Sequence, residues 1–245
     1  MKNPVPCYRL FLSLLWIAAG CTHFGPPAGG SAGSARVTTG DSCAARALID
    51  DAEDGDAQVL GIDGRNGYIY TYSDAQGTQV KPSTDGFTVS TGGARTPKNA
   101  LRFQGKLADQ SDAYAGMGFG FMSPERGYDA SAYKGIAFIA KRGQSSASEV
   151  RIKVPDGNTH PKGGACSDCF NDFGVTFSVT ESWTRYVIEF ADLKQEGGWG
   201  DPRPPSVDVD KLFGVQFQIA ARGQDFDIWI DDVEFICADS SEEMP

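Results

Sequence analysis

Histidine is scarce in this 245-residue chain: there are two, His23 and His160, and only His160 falls in the part that reads as folded. That excludes metal sites built on paired histidines and leaves any Ser–His or Cys–His nucleophile system a single base. The folded part also lacks a Gly-x-Ser-x-Gly elbow and a Walker loop. Basic residues are outnumbered, with 22 Lys and Arg against 32 Asp and Glu and a net charge of -10. Nucleic acid is therefore a poor partner, because phosphate binding needs a basic surface; the balance suits a neutral or cationic ligand. The longest apolar run, Leu10 to Ala19, is too short to cross a hydrocarbon core, which takes about 20 residues. No segment keeps a helical period, and no internal repeat is visible.

What that short run does fit is export. Lys2 and Arg9 precede it and Ala18-Ala19-Gly20 end it, the layout of a secretory signal over residues 1–20. Cys21 directly after the small residues, with Ile17 upstream, resembles a bacterial lipobox, in which Cys21 is lipidated and becomes the mature N-terminus. Thr22 at the next position resembles the outer-membrane sorting signal of Gram-negative lipoproteins. Residues 21–42 are rich in Gly, Pro, Ser, Ala and Thr and cannot bury enough surface to fold. As a flexible tether they would span roughly 25 Å. Residues 43–245 remain, enough for one domain with a short disordered tail. Without residues 1–20 the net charge becomes -12.

The domain reads as strands. ALRFQGKL puts Leu101 and Phe103 on one face; EVRIKV turns Val150, Ile152 and Val154 inward and Arg151 and Lys153 outward. KLFGVQFQIAARG directs Phe213, Val215, Phe217 and Ile219 inward, leaving Gln216 and Gln218 outward. Trp183 opens the strand of SWTRYVIEF, and FDIWIDDVEF, with Trp229, closes the domain. Short strands at this spacing indicate an all-β sandwich. In YAGMGFGF, Ala115, Met117, Phe119 and Phe121 face inward, and Gly116, Gly118 and Gly120 line the other side beside Tyr114. Such a row is expected to leave a shallow floor, or to admit a close crossing by another segment.

Between EVRIKV and FGVTFSV lies a loop of 18 residues, PDGNTHPKGGACSDCFND, long enough to read as functional. It carries Cys166 and Cys169. With Cys43 before the first strand and Cys237 after the last, four cysteines face an oxidising compartment and allow three pairings. Cys43–Cys237 with Cys166–Cys169 is the simplest. A zinc site recruiting His160 and a redox Cys-x-x-Cys are the rivals. His160 and Asn171-Asp172 flank the cysteines and can reach a ligand. Trp199, in the Gly- and Pro-rich GGWGDPRPP, is a candidate exposed platform.

The ordered series YDASAYKGIAFIAKRG, VRIKV, ESWTRYVIEFADL, KLFGVQFQI and IWIDDVEFI resembles the family 11 carbohydrate-binding modules, within the galactose-binding-like jelly rolls. The likeness runs from about Leu48 to Cys237. It implies a β-sandwich jelly roll binding β-glucan in a cleft on its concave sheet, with tyrosines stacking and charged or amide side chains bonding hydroxyls. By position it assigns Arg151, Lys153, Gln216 and Gln218 to that cleft, and Asp156 as the aspartate after VRIKV. It also implies a structural calcium held by Glu53, Asp54 and Asp231.

The expectation is a non-catalytic, membrane-anchored, monomeric lipoprotein that binds a polysaccharide through Tyr114, Arg151, Lys153, Asp156, His160, Asp172, Trp199, Gln216 and Gln218. One alternative is a glycoside hydrolase, which needs two carboxyl groups about 5–10 Å apart across a sugar; no acid sits in a recognisable catalytic motif. The other is an adhesion or envelope-assembly lipoprotein whose sheet face binds protein.

Overall fold

The structure, a computed structural model, describes residues 42–83, 86–95 and 99–238. The signal at 1–20, Cys21, the tether as far as residue 41 and the tail from 239 lie outside the described residues. Ser42, the last tether residue, caps a five-residue helix, α1 (Cys43–Ala47), by accepting from the Ala45 N–H. Twelve strands follow: β1 (Leu48–Asp50), β2 (Ile69–Ser73), β3 (Gln79–Lys81), β4 (Ser90–Thr91), β5 (Asn99–Lys106), β6 (Ala115–Gly120), β7 (Tyr133–Arg142), β8 (Glu149–Val154), β9 (Phe173–Ser178), β10 (Thr184–Glu189), β11 (Gly214–Ile219) and β12 (Asp225–Cys237).

They form the expected sandwich of two antiparallel sheets. One runs β10-β7-β12-β5-β3, with β1 added to β12 and β4 to β5; the other runs β2-β6-β11-β8-β9. Alternation decides which side chains meet between them. Met117 and Phe119 of β6, Ile152 of β8 and Phe217 of β11 are fully buried, as are Phe103, Phe138 and Ile230 from the other sheet. Phe217 bridges the layers, edge-on to Phe138 at 4.8 Å and to Phe119 at 6.0 Å. In β12 the pairing with β7 shifts between Asp231 and Glu234, where Asp232 takes a left-handed φ of 46°. This bulge returns Val233 and Phe235 to the core after Ile230.

Cys43–Cys237 ties the domain's ends at a Cα separation of 5.9 Å, and Cys166–Cys169 closes a turn within the long loop, leaving neither pair for zinc. On the outer face of the larger sheet Trp183 meets Trp229 edge-on, with Lys141 over both rings and Arg102 over Trp229. Both tryptophans thus lie on the opposite layer from the glycine row.

Candidate functional site

The outward face of the five-stranded sheet is ordered in rows by its register. Tyr70, Gly118, Gln216, Lys153 and Gly174 form one row; Tyr72, Gly116, Gln218, Arg151 and Thr176 form the next. Of the two expectations for the glycine row, a shallow floor or a close crossing by another segment, the structure shows the crossing. A Cβ on Gly118 would lie 2.6 Å from the Tyr70 hydroxyl, and one on Gly116 2.7 Å from Cε1 of Tyr72. The glycines let two tyrosine rings lie across β6. Their hydroxyls reach the next strand: Gln216 Nε2 donates to Tyr70 at 3.1 Å, and Tyr72 donates to Gln218 Oε1 at 3.3 Å. Burial pushes the Tyr70 phenol up to about 12 and Tyr72 well above its ordinary value, so both stay protonated at neutral pH.

Across β8 the cations are paired. Lys153 Nζ lies 3.0 Å from Asp172 Oδ2 and donates to Gln218 Oε1 at 3.4 Å. Burial raises the Asp172 carboxyl while Lys153 pulls it down. Arg151 donates to the Lys194 carbonyl at 2.7 Å and approaches Glu196 at 3.7 Å; burial lowers its pKa. His160 stacks on Phe213 with centroids 4.2 Å apart, and its Nδ1 accepts from the Lys162 N–H. Burial holds this imidazole below its ordinary pKa, hence neutral near pH 7.

The long loop and the segment after Lys194 build a wall beside β9. Gly174 and Lys194 exchange both backbone bonds at 3.0 Å, extending the sheet past its last strand. Asn171, buried, donates from Nδ2 to the carbonyls of Glu196 and Trp199 and accepts at Oδ1 from the Glu196 N–H. Asp168 and Asp201 bond reciprocally through their backbones, and Gly200 N–H donates to Asp168 Oδ2. On this frame stand Trp199, 41% exposed and bonded from Nε1 to Glu196, and Phe170, 59% exposed with a left-handed φ of 75°.

The result is a cleft of about 720 Å³, within the roughly 300–1,000 Å³ usual for ligand sites. Eight of the nine proposed contact residues line it: Tyr114, Arg151, Lys153, His160, Asp172, Trp199, Gln216 and Gln218. Asp156 does not. It is wholly buried, and its carboxylate accepts from the N–H groups of Asn158, Thr159 and Asp208, so it shapes the loop base rather than the site. Asn171, beside Asp172 at the end of the cysteine loop, lines the cleft as well; Tyr70, Tyr72, Phe170 and Glu196 were not anticipated as contacts. Only the tyrosines carried a signal, the two-residue spacing in GYIYTYSD that puts them on one face.

The proposed calcium residues do not close a set. Glu53 is near enough for its charge to raise Asp231, which burial lifts to about 6; the two Asp231 oxygens accept from the Ala94 and Asp232 N–H groups. Asp54 is exposed and accepts from the Asp56 N–H. Among the described residues, no three His, Cys, Asp or Glu side chains converge as a metal set.

No family model matches the chain, and no curated protein does. Solved structures do. The family 11 carbohydrate-binding module of the cellulosomal cellulase Lic26A-Cel5E of Clostridium thermocellum superposes with a TM-score of 0.52 at 17% identity, covering 78% of this chain and 95% of that one. The family 11 module from Clostridium thermocellum solved with a β-1,3-1,4-mixed-linked tetrasaccharide gives 0.53 at 18% identity, over 78% and 95%. The family 30 module of the cellulase Cel9D-Cel44B of Clostridium thermocellum gives 0.53 at 13%, over 80% and 98%. The chain has the jelly-roll sandwich of these modules.

Proposed function

We propose that this domain binds a neutral polysaccharide in the cleft, without turning it over, and is held at the outer membrane by a lipid on Cys21. The observation that carries the binding reading is where the exposed rings sit. Tyr114, Phe170 and Trp199 line the cleft; Tyr68 and Val187 are the other large apolar residues exposed among those described. Rings left in water on one face suit the apolar C–H faces of sugars, and the Gln218 amide and Tyr70 and Tyr72 phenols suit hydroxyls. Neutrality follows from charge. Lys153 and Arg151 are matched by Asp172 and Glu196, and Asp112 and Glu125 at the lining add negative charge. A sulfated or uronate glycan would meet repulsion there.

The likeness to a module solved with a mixed-linked tetrasaccharide makes mixed-linkage β-glucan the first ligand to try. The chain lacking residues 1–21 is expected to be retarded in gels containing mixed-linkage β-glucan or xyloglucan, and Arg151→Ala with Gln218→Ala to migrate freely. Unchanged wild-type migration across such gels would count against sugar binding, and release of reducing sugar would favour a hydrolase. For the anchor, Cys21→Ser is expected to move the protein from the membrane to the soluble envelope fraction; retention in the membrane would refute it.

A further inference from the structure

We propose that the cleft takes the end of a glycan chain rather than a stretch of its interior; this rests on the carbohydrate-binding reading above. A bare sheet face is a trough open at both edges. From β2 to β9 it is about 19 Å wide, four strand spacings of roughly 4.8 Å. On the β2 side, lining comes from the strand's own Tyr70 and Tyr72, seated over glycines, with Ser111 to Tyr114 beside the strand's end. Beyond β9 the trough meets Phe170, Asn171, Glu196 and Trp199. A chain laid across the strands runs out at that wall.

The wall is built to stay. Asn171 makes its three side-chain bonds to one segment, and Gly200 packs so closely that a Cβ there would sit 2.6 Å from that of Asn171. The Asp168–Asp201 bonds and the Cys166–Cys169 link hold the turn behind it. Nothing in this clasp resembles a lid that yields to a passing polymer. Phe170 adds a second sign. A non-glycine residue with left-handed φ is strained and persists only where the surrounding structure holds it, often at a ligand site. Here the strain holds an exposed ring at the closed end, where a terminal sugar would rest against Phe170 and Trp199. Asn171 is then a positioning residue, acting through the wall it ties together.

The test is stoichiometry. Linear mixed-linkage β-glucan chains of defined, increasing length are titrated into the mature protein carrying Cys21→Ser and followed by calorimetry. End recognition predicts one protein per chain at every length, with affinity per chain constant within about twofold. Proteins bound per chain rising with length would overturn it and leave the carbohydrate-binding reading standing; no heat at any length would overturn both. Asn171→Ala, which unties the second loop, is expected to let more than one protein load on the longer chains. A value that stays at one would show that Asn171 does not position the wall.

Discussion

Gly118→Ala would place a methyl carbon inside the contact distance of the Tyr70 ring, 2.6 Å from its hydroxyl oxygen. The ring lies across β6 with its hydroxyl bonded to Gln216, so it must lift into the cleft or push the strands apart. Overpacking of this kind costs about 1–3 kcal/mol. At roughly 2–4 °C per kcal/mol for a domain of this size, the melting temperature should fall by about 2–12 °C. Removing the ring should remove the conflict. In a Tyr70→Ala background the three atoms nearest that methyl are gone, and replacing a strand glycine by alanine then gains about 0.5–1 kcal/mol. A double-mutant cycle on thermal unfolding should therefore give a coupling of about 1.5–4 kcal/mol, with Gly118→Ala destabilising in one background and stabilising in the other. An equal cost in both would refute the idea that the glycines exist to seat the tyrosines.

Three further expectations follow from buried charges and cross-links. Asp50 is 1% exposed and burial raises its carboxyl to about 7, so the neutral acid favours folding and that contribution is lost as pH climbs through about 7. Between pH 5 and pH 9, Asp50→Asn should gain about 2–3 kcal/mol on the wild type in denaturant unfolding, and a constant difference would contradict this. Lys153→Met leaves the Asp172 carboxyl buried without its ammonium; a loss of about 3–5 kcal/mol is expected, largely recovered by adding Asp172→Asn, whereas a loss below about 1 kcal/mol would mean the pair contributes little. Replacing Cys43 and Cys237 by serine opens a link across 194 residues and should cost about 2–5 kcal/mol, while the same change at Cys166 and Cys169 should cost less because its loop is short; equal costs would refute the ordering.

Alternation was the most legible signal. The inward sets of β6, β8 and β11 follow from period two alone, and with them the outward placement of Arg151, Lys153, Gln216 and Gln218. The purpose of the glycine row was only half visible. Its spacing announces a close approach, but the approaching group comes from β2, some 45 residues upstream, and sheet order cannot be read from a strand's own residues. Asp156 misled for a related reason: an aspartate after a strand serves a ligand or its own loop equally well, and only its bonds to Asn158, Thr159 and Asp208 decide. Trp199 was legible because Gly and Pro around it exclude a core strand. Phe170 was not, since its exposure depends on a left-handed backbone that no neighbouring residue type signals. Asn171 and Glu196 meet across 25 positions through a clasp with no local pattern.

The central claim is that the exposed rings and amides of the cleft grip a neutral glycan, and a broad glycan array probed with the chain lacking residues 1–21 tests it most directly. Retention on neutral β-linked glycans, weaker signals on their sulfated or uronate counterparts, and loss of both with Tyr114→Ala and Trp199→Ala are the predicted results. Absence of retention on every glycan, from a protein shown to be folded, would contradict the account.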